Sequence, residues 1–335
     1  MIDSHASNAE RIHLVGYGAL GREIATQLLA AGRSVKVIQR SRPKDLPEGA
    51  EFASADVMDQ GALIAATRGA AAIICALGLP YFAEVWEEGW PLAMTNILAA
   101  CEAHGVRLVY ADNLYLYGPQ NRPLTADLPP VDYGRKPRSR AVATRLWQAV
   151  HASGRVQAVA VRAPDLYGPG VVQSALGVAS LQALAEGRVA RLLGKADVPH
   201  DAAHISDFAR AVITLLDAPS DAYGRAWHVP TDTTRTLRQH LQIAADALGV
   251  PLRLSVIPGW LARVIGLFVP FVREGIEMQF LFDRPYIVVA EDLKARFWSD
   301  PVKFEIGIAE AARSFRAAAQ RNDLASTASP SSSVA

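Results

Sequence analysis

One stretch limits the folds open to this 335-residue chain more than any other: Gly16-Tyr17-Gly18-Ala19-Leu20-Gly21. It lies between a short apolar run, residues 11–15, that reads as a strand, and a segment with helical periodicity. That segment puts Leu20, Ile24, Leu28 and Leu29 on one face and stops at Gly32. Three glycines spaced G-x-G-x-x-G at such a junction have separate tasks. Gly16 permits a tight turn out of the strand. Gly18 has no Cβ, so a pyrophosphate can approach the backbone. Gly21 lets the helix pack close to the strand. The helix start at Ala19 and Leu20 then faces the phosphates. A glycine turn that binds nothing is the competing reading, but the motif requires a strand before it and a helix after it, and both are predicted here.

The strand–helix rhythm continues beyond this turn. Strands are predicted at 34–40, 50–57, 71–77, 106–112 and 156–164, and helices at 62–69, 91–105 and 140–154. Short apolar strands alternating with helices predict an α/β fold, a Rossmann-type doubly wound parallel sheet covered on both faces. After about residue 168 the alternation breaks. Helical patterns at 174–187, 207–219 and 236–249, with one strand at 224–230, predict a smaller, mostly helical C-terminal substrate lobe, some of whose elements return to the sheet. The expected division is 10–168 for the dinucleotide-binding domain and 169–320 for the substrate lobe. Residues 1–9 and the Ser-rich 324–335 are expected to be disordered.

The end of the second strand meets the adenosine ribose in such a fold, and an acid there favours NAD. This chain has Gln39, Arg40, Ser41 and Arg42 instead. A guanidinium suits a 2′-phosphate, so NADP is expected, with NAD possible. Arg40 and Arg42 as solvated loop charges are the alternative. Asp56 after the third strand has two open roles. It accepts from an adenine amino group, with Val57 against the ring, or it caps the next helix. Ala76, at the end of the fourth strand, is expected along the cofactor.

The balance of 34 basic against 33 acidic residues gives no reason to expect nucleic acid or an anionic membrane as partner. Cys75 and Cys101 sit in apolar surroundings and no Cys/His spacing reads as a metal site, so a reducing, cytoplasmic setting is expected. Residues 256–272 are the most apolar stretch. Arg263, Pro258, Pro270 and two glycines break it, whereas a membrane span needs roughly 20 mostly apolar residues. It is read as one or two buried helical turns, with membrane contact as the minor reading.

Several segments together resemble the short-chain dehydrogenase/reductase superfamily, in its extended and atypical branches of NAD(P)-dependent epimerase/dehydratase-like proteins. They are the glycine turn; Ala55-Asp56-Val57; residues 107–119, similar to the family's strand ending in Ser-Ser and then Tyr-Gly; residues 161–170, similar to its Arg-Pro and Tyr-Gly-Pro-Gly segment; and residues 204–212. The resemblance runs over roughly residues 11–310. It implies a nicotinamide cofactor and hydride transfer between that cofactor and a carbonyl or hydroxyl carbon of a small molecule or sugar. In the family a Ser or Thr binds the substrate oxygen, a Tyr handles the proton, and a Lys four residues after the Tyr holds the ribose.

This chain departs from that triad. Counting back from Tyr117-Gly118, the Ser/Thr position falls on Asn113, next to Asp112, which reads as a base or, by preference, a structural carboxylate. Tyr133 and Lys136 are three apart, and Pro137 disfavours helical geometry at Lys136. Three readings of this segment stay open. Tyr133 and Lys136 form a displaced pair; Lys136 acts without the Tyr; or Arg135, Lys136, Arg138 and Arg140 form a basic loop without chemistry. The last makes the chain a catalytically silent NADP-binding sensor. The resemblance places Tyr81, Tyr115, Tyr117 and Tyr167 on the substrate wall. Lys195 and His200 lie where some relatives bind a diphosphate. His204 is read as a packing residue before a helix capped by Ser206 or Asp207. The family often dimerises, so a homodimer is a possible assembly.

Overall fold

The computed structural model describes residues 11–327. In chain order its strands are β1 (Ile12–Val15), β2 (Val35–Gln39), β3 (Glu51–Ser54), β4 (Ala72–Cys75), β5 (Arg107–Asn113), β6 (Ala158–Ala163), β7 (Asp165–Tyr167), β8 (Ala190–Leu193), β9 (Ala202–His204), β10 (Ala226–His228) and β11 (Leu254–Ile257). Its helices are α1 (Ala19–Ala30), α2 (Gln60–Ala66), α3 (Ala83–His104), α4 (Lys136–Ala152), α5 (Ala183–Ala185), α6 (Ile205–Asp217), α7 (Leu237–Leu248), α8 (Gly259–Gly266), α9 (Pro270–Ile276), α10 (Glu291–Arg296) and α11 (Phe304–Thr327).

Seven strands form one parallel sheet in the order β3-β2-β1-β4-β5-β6-β10. The order reverses between β1 and β4, which opens a crevice at their carboxyl ends. Leu14 sits opposite Val37 on one side and Ile74 on the other. Successive side chains of a strand point to opposite faces, and the burial follows. Leu14 and Ile74 pack with Ile24 and Leu28 of α1 and Phe208 and Val212 of α6. Val15 and Ile73 pack with Trp90 and Ile97 of α3 and Trp147 of α4. Both faces are therefore covered, which is why the strands read as continuous apolar runs. In the C-terminal part, Leu241 and Leu248 of α7 pack with Ile308 and Phe315 of α11. A capping box of Thr236 and Gln239 starts α7.

Four sequence expectations are corrected. Helix α3 begins at Ala83, not 91, and runs through Pro91. Proline removes one backbone donor, but Trp86 and Trp90 in the turns before it are buried, and that packing holds the helix. Helix α4 begins at Lys136, not 140, because Pro137 stands in its first turn, where proline's fixed φ and missing N–H are tolerated. Helix α11 continues to Thr327, into the tail expected to be disordered; residues 1–9 and 328–335 lie outside the described residues. Residues 256–272 are not two buried turns. They form the end of β11, then α8 and the start of α9, with Trp260, Val264, Leu267, Phe268 and Val269 exposed.

Candidate functional site

The glycine turn sits at the crevice. Gly16 has a φ of +96°, and a Cβ there would lie 2.7 Å from the carbonyl oxygen of Ala76, the residue just after β4. A Cβ on Gly21 would lie 2.3 Å from the carbonyl oxygen of Gly16. Both glycines are thus required by close backbone approach. Gly18 differs: a Cβ there would meet nothing within 4 Å, so its side is open. Gly18 is also the N-cap of α1 and supplies no side-chain cap, which leaves the amides of Ala19 and Leu20 among the first-turn N–H groups without an intrahelical partner. Two glycines fixed by packing and one facing free space fit a pyrophosphate on the helix N-terminus.

At the end of β2, Arg40 is exposed and its guanidinium takes no partner among the described residues; Ser41 is exposed beside it. Arg42 instead lies over the Phe52 ring, 5.7 Å from its centroid. Asp56 accepts the N–H of Met58 at 3.0 Å. The cap of α2 is Asp59, which accepts from Ala62 at 2.9 Å, so the capping role considered for Asp56 belongs to its neighbour. Val57 is buried against α3, where its carbonyl accepts from Asn96 at 2.9 Å.

Lys136 is the first residue of α4 and is fully buried. Its ammonium lies 4.8 Å from the centroid of the Tyr81 ring. It donates to the Glu274 carbonyl at 3.0 Å and to the Glu274 carboxylate, and Glu277 Oε2 is 3.7 Å away. These acids come from α9 and the residue following it, in the C-terminal part. Glu277 also accepts the N–H groups of Arg135 and Lys136, so it caps α4 from another element. Glu274 accepts the N–H of Ala83 at 2.8 Å at the start of α3. Burial raises the Glu274 carboxyl, but the bonds from Lys136 and Ala83 outweigh it and hold the group below the usual range. Tyr133 is not part of this cluster. It precedes α4, is partly exposed, and its ring meets Phe280 edge-on.

One helical turn after Lys136 comes Arg140, also buried. The four-residue spacing is therefore present, carried by Lys136 and Arg140. Arg140 bonds Asp112 through Nε at 3.0 Å and through Nη2, and its guanidinium lies 3.8 Å from the Trp90 ring centroid. Arg162 of β6 bonds the other oxygen of Asp112 at 3.0 Å, the Tyr117 hydroxyl at 2.7 Å and Thr144 at 3.2 Å. Tyr117 continues to His228, and His228 to the Val289 carbonyl, each at 3.0 Å. Burial first, and Arg162 second, depress the His228 imidazole to about 3, so it stays neutral. Asp112 thus neutralises two cations inside the protein. Sequence reading left Arg140 among loop charges and missed Arg162, Glu274 and Glu277. The step of four from Lys136 was a usable signal for Arg140; none exists for Glu274, 138 residues from Lys136.

Asn113 ends β5. Its Oδ1 accepts the N–H of Tyr115 at 3.1 Å, while its Nδ2 takes no partner among the described residues. Tyr81 and Tyr115 are half-buried, share a hydroxyl hydrogen bond and flank Trp86, which stacks on Tyr115 with ring centroids 6.1 Å apart. Burial pushes the Tyr115 hydroxyl up to about 12. Tyr117 and Tyr167 do not stand on an open wall. Tyr117 is sealed in the arginine network, and Tyr167 packs against His204 and Phe304 in the C-terminal core. His204 is itself the cap of α6, accepting from Ser206, in place of the Ser206 or Asp207 cap expected. His200 is buried between Phe282 and Tyr286, its ring nitrogens without a hydrogen bond and its Nε2 3.4 Å from an Asp165 carboxylate oxygen.

A parallel sheet with a glycine cradle at its switch point defines a dinucleotide-binding protein of the Rossmann type. The sequence matches the NAD dependent epimerase/dehydratase family over residues 14–229, more than half of its length, and the chain belongs to that family. A comparison with curated proteins gives no match. Solved structures share the fold. The dTDP-glucose 4,6-dehydratase DesIV of Streptomyces venezuelae, bound to NAD, is 20% identical with a TM-score of 0.75, covering 92% of this chain and 97% of its own. The UDP-glucose 4-epimerase of Thermus thermophilus with NAD is 20% identical with a TM-score of 0.74, over 92% and 99%. The UDP-glucuronic acid 4-epimerase of Bacillus cereus, with its substrate and NAD, is 13% identical with a TM-score of 0.76, again over 92% and 99%. Among the described residues no helix is long and apolar enough to cross a membrane, and no group of three His, Cys, Asp or Glu could hold a metal.

Proposed function

We propose that this chain is an NAD(P)-dependent oxidoreductase or epimerase that prefers NADP and transfers hydride between it and a carbonyl or hydroxyl carbon of a small molecule, with Lys136 as the proton-handling group. Sugar nucleotides, the substrates of similar structures, are one class to test. The observation that carries this reading is the fully buried ammonium of Lys136 at the first turn of α4, paired with Glu274 and Glu277 beside the aromatic wall of Tyr81.

The roles divide by position. Gly16, Gly18 and Gly21, with the amides of Ala19 and Leu20, hold the pyrophosphate. Arg40 and Ser41 hold the 2′-phosphate, Asp56 and Val57 the adenine, and Ala76 the far wall. A bound nicotinamide supplies or accepts the hydride. The free Nδ2 of Asn113 donates to the substrate oxygen. Lys136 gives a proton to that oxygen as the carbonyl carbon is reduced, and takes one in the reverse direction. Glu274 and Glu277 balance its charge. Tyr133, with its ring on Phe280, has no chemical role in this scheme.

The closure of the Lys136 ion cluster also favours a second reading, a cofactor-binding sensor without turnover. The test is a panel of carbonyl substrates, sugar nucleotides included, assayed with NADPH and NADH for the native protein and for Lys136→Met. Loss of turnover of about a hundredfold or more, with cofactor affinity kept, supports the proposal. Undiminished turnover in Lys136→Met refutes the role of Lys136. A native protein that binds NADPH and turns over nothing favours the sensor.

A further inference from the structure

Helices α8 and α9 form a hairpin that carries its large apolar side chains outward. On α8 the buried positions are Ala262 and Gly266. Gly266 packs so close to α9 that a Cβ would lie 3.2 Å from the Cα of Arg273. The opposite face presents Trp260, Val264 and Leu267, at steps of four and three, which is one helical stripe. The turn between the helices adds Phe268 and Val269. Leu267 is 75% exposed and Phe268 is 82% exposed. Backbone bonds to Val264 and Ile265, at 2.9 to 3.2 Å, hold these three residues in place at the tip. Arg263 and Arg273 flank the stripe, exposed, and neither makes a hydrogen bond or ion pair among the described residues. The nearby carboxylates of Glu274 and Glu277 turn inward onto Lys136, so they do not neutralise these arginines.

We infer that this hairpin docks on an anionic lipid surface. Tryptophan, phenylalanine and leucine on one face with arginines at its border is the composition that settles into the headgroup and upper acyl region of a bilayer, to a depth of roughly 5–10 Å. The arginines pair with lipid phosphates. A second copy of this chain fits less well. A two-fold contact through the tip sets the same patch against itself, which gathers both copies' Arg263 and Arg273 at one interface while Glu274 and Glu277 stay turned onto Lys136. This inference rests on the exposed hairpin alone and not on the chemistry proposed for Lys136.

The experiment is co-sedimentation of the full chain with vesicles of phosphatidylcholine alone and of phosphatidylcholine with about 30% phosphatidylglycerol, a content at which basic residues near the surface gain attraction. The native protein is expected to sediment with the anionic vesicles. A Leu267→Glu, Phe268→Glu double variant is expected to bind about tenfold less or worse, and Arg263→Gln with Arg273→Gln to lose the preference for phosphatidylglycerol. The substituted side chains face solvent, and an unchanged unfolding transition confirms that the variants fold. Three results overturn the inference. The native protein stays in the supernatant, the variants sediment as well as it does, or the native protein is a dimer in solution that the Leu267→Glu, Phe268→Glu change makes monomeric. The last would make the hairpin an interface between copies.

Discussion

Replacing Asp112 by Asn tests the claim that one carboxylate neutralises two buried arginines. Asp112 accepts from Arg140, from Arg162 and from the N–H of Asn113, and none of the three charged side chains is more than 3% exposed. Asn keeps the volume and one acceptor oxygen, so no cavity forms. What is lost is the negative charge, and two guanidinium groups are left buried against Trp90, Tyr110 and Tyr117. Removing one partner of a buried ion pair costs about 3–5 kcal/mol, and two cations depend on this one anion, so the upper end, about 5 kcal/mol, is expected. For a chain of this size that is a fall in Tm of about 10–20 °C. Urea unfolding followed by circular dichroism, together with a thermal scan, measures both quantities. A loss below about 1 kcal/mol, the scale of an exposed pair, would refute the reasoning and mean that the arginines are hydrated or paired in another way.

Other outcomes follow from the same geometry. Gly21→Ala should cost about 1–3 kcal/mol, since its Cβ meets the backbone of Gly16, whereas Gly18→Ala should leave unfolding unchanged and weaken cofactor binding; urea curves and cofactor titrations separate the two. Arg40→Ala should lower NADPH affinity about ten- to a hundredfold and leave NADH affinity unchanged, read by fluorescence titration, because one charged hydrogen-bond donor is removed. Stability should fall as pH drops below about 6.5, the unfolded histidine value. Burial depresses His13 and His204 to about 4 and His228 and His240 to about 3, so the unfolded chain binds protons that the native one refuses. Asp207, raised to about 6 by burial, works in the opposite sense, because the native state holds its proton below that pH, and Asp201 is raised as well. Near pH 5 the net slope is at most about 4 kcal/mol per pH unit, visible in urea midpoints between pH 4.5 and 7.

Much of the sheet could be read from the sequence because its signals are local. The glycine turn, the four-residue apolar runs of β1 and β4 and the periodicity of α1 each lie within a dozen residues. The family relationship rested on short motifs of the same kind. Proline misled the reading twice. Pro91 reads as a helix start although Trp86 and Trp90 already belong to the helix, and Pro137 disfavours helical geometry at Lys136 yet stands in the first turn of the helix that Lys136 opens. The ion clusters could not be read. Arg162 looks like any strand residue until Asp112 and Tyr117 are placed beside it, and the partners of Lys136 arrive from 138 residues later. The tyrosines split for a similar reason. Tyr81 and Tyr115 stay half-buried beside Trp86, but Tyr117 and Tyr167 are sealed by distant neighbours.

The clamp on Lys136 also bears on how the chain can be divided. The family match ends at residue 229, yet the acids that balance Lys136 and cap α4 are at 274 and 277. A fragment stopping at the end of the match would keep the strands up to β10 and lose the counter-charge for a fully buried ammonium. Two N–H groups at the head of α4 and one at the head of α3 would lose their acceptors together. Such a fragment should therefore be less stable than the whole chain, and the segments on either side of residue 229 should unfold together.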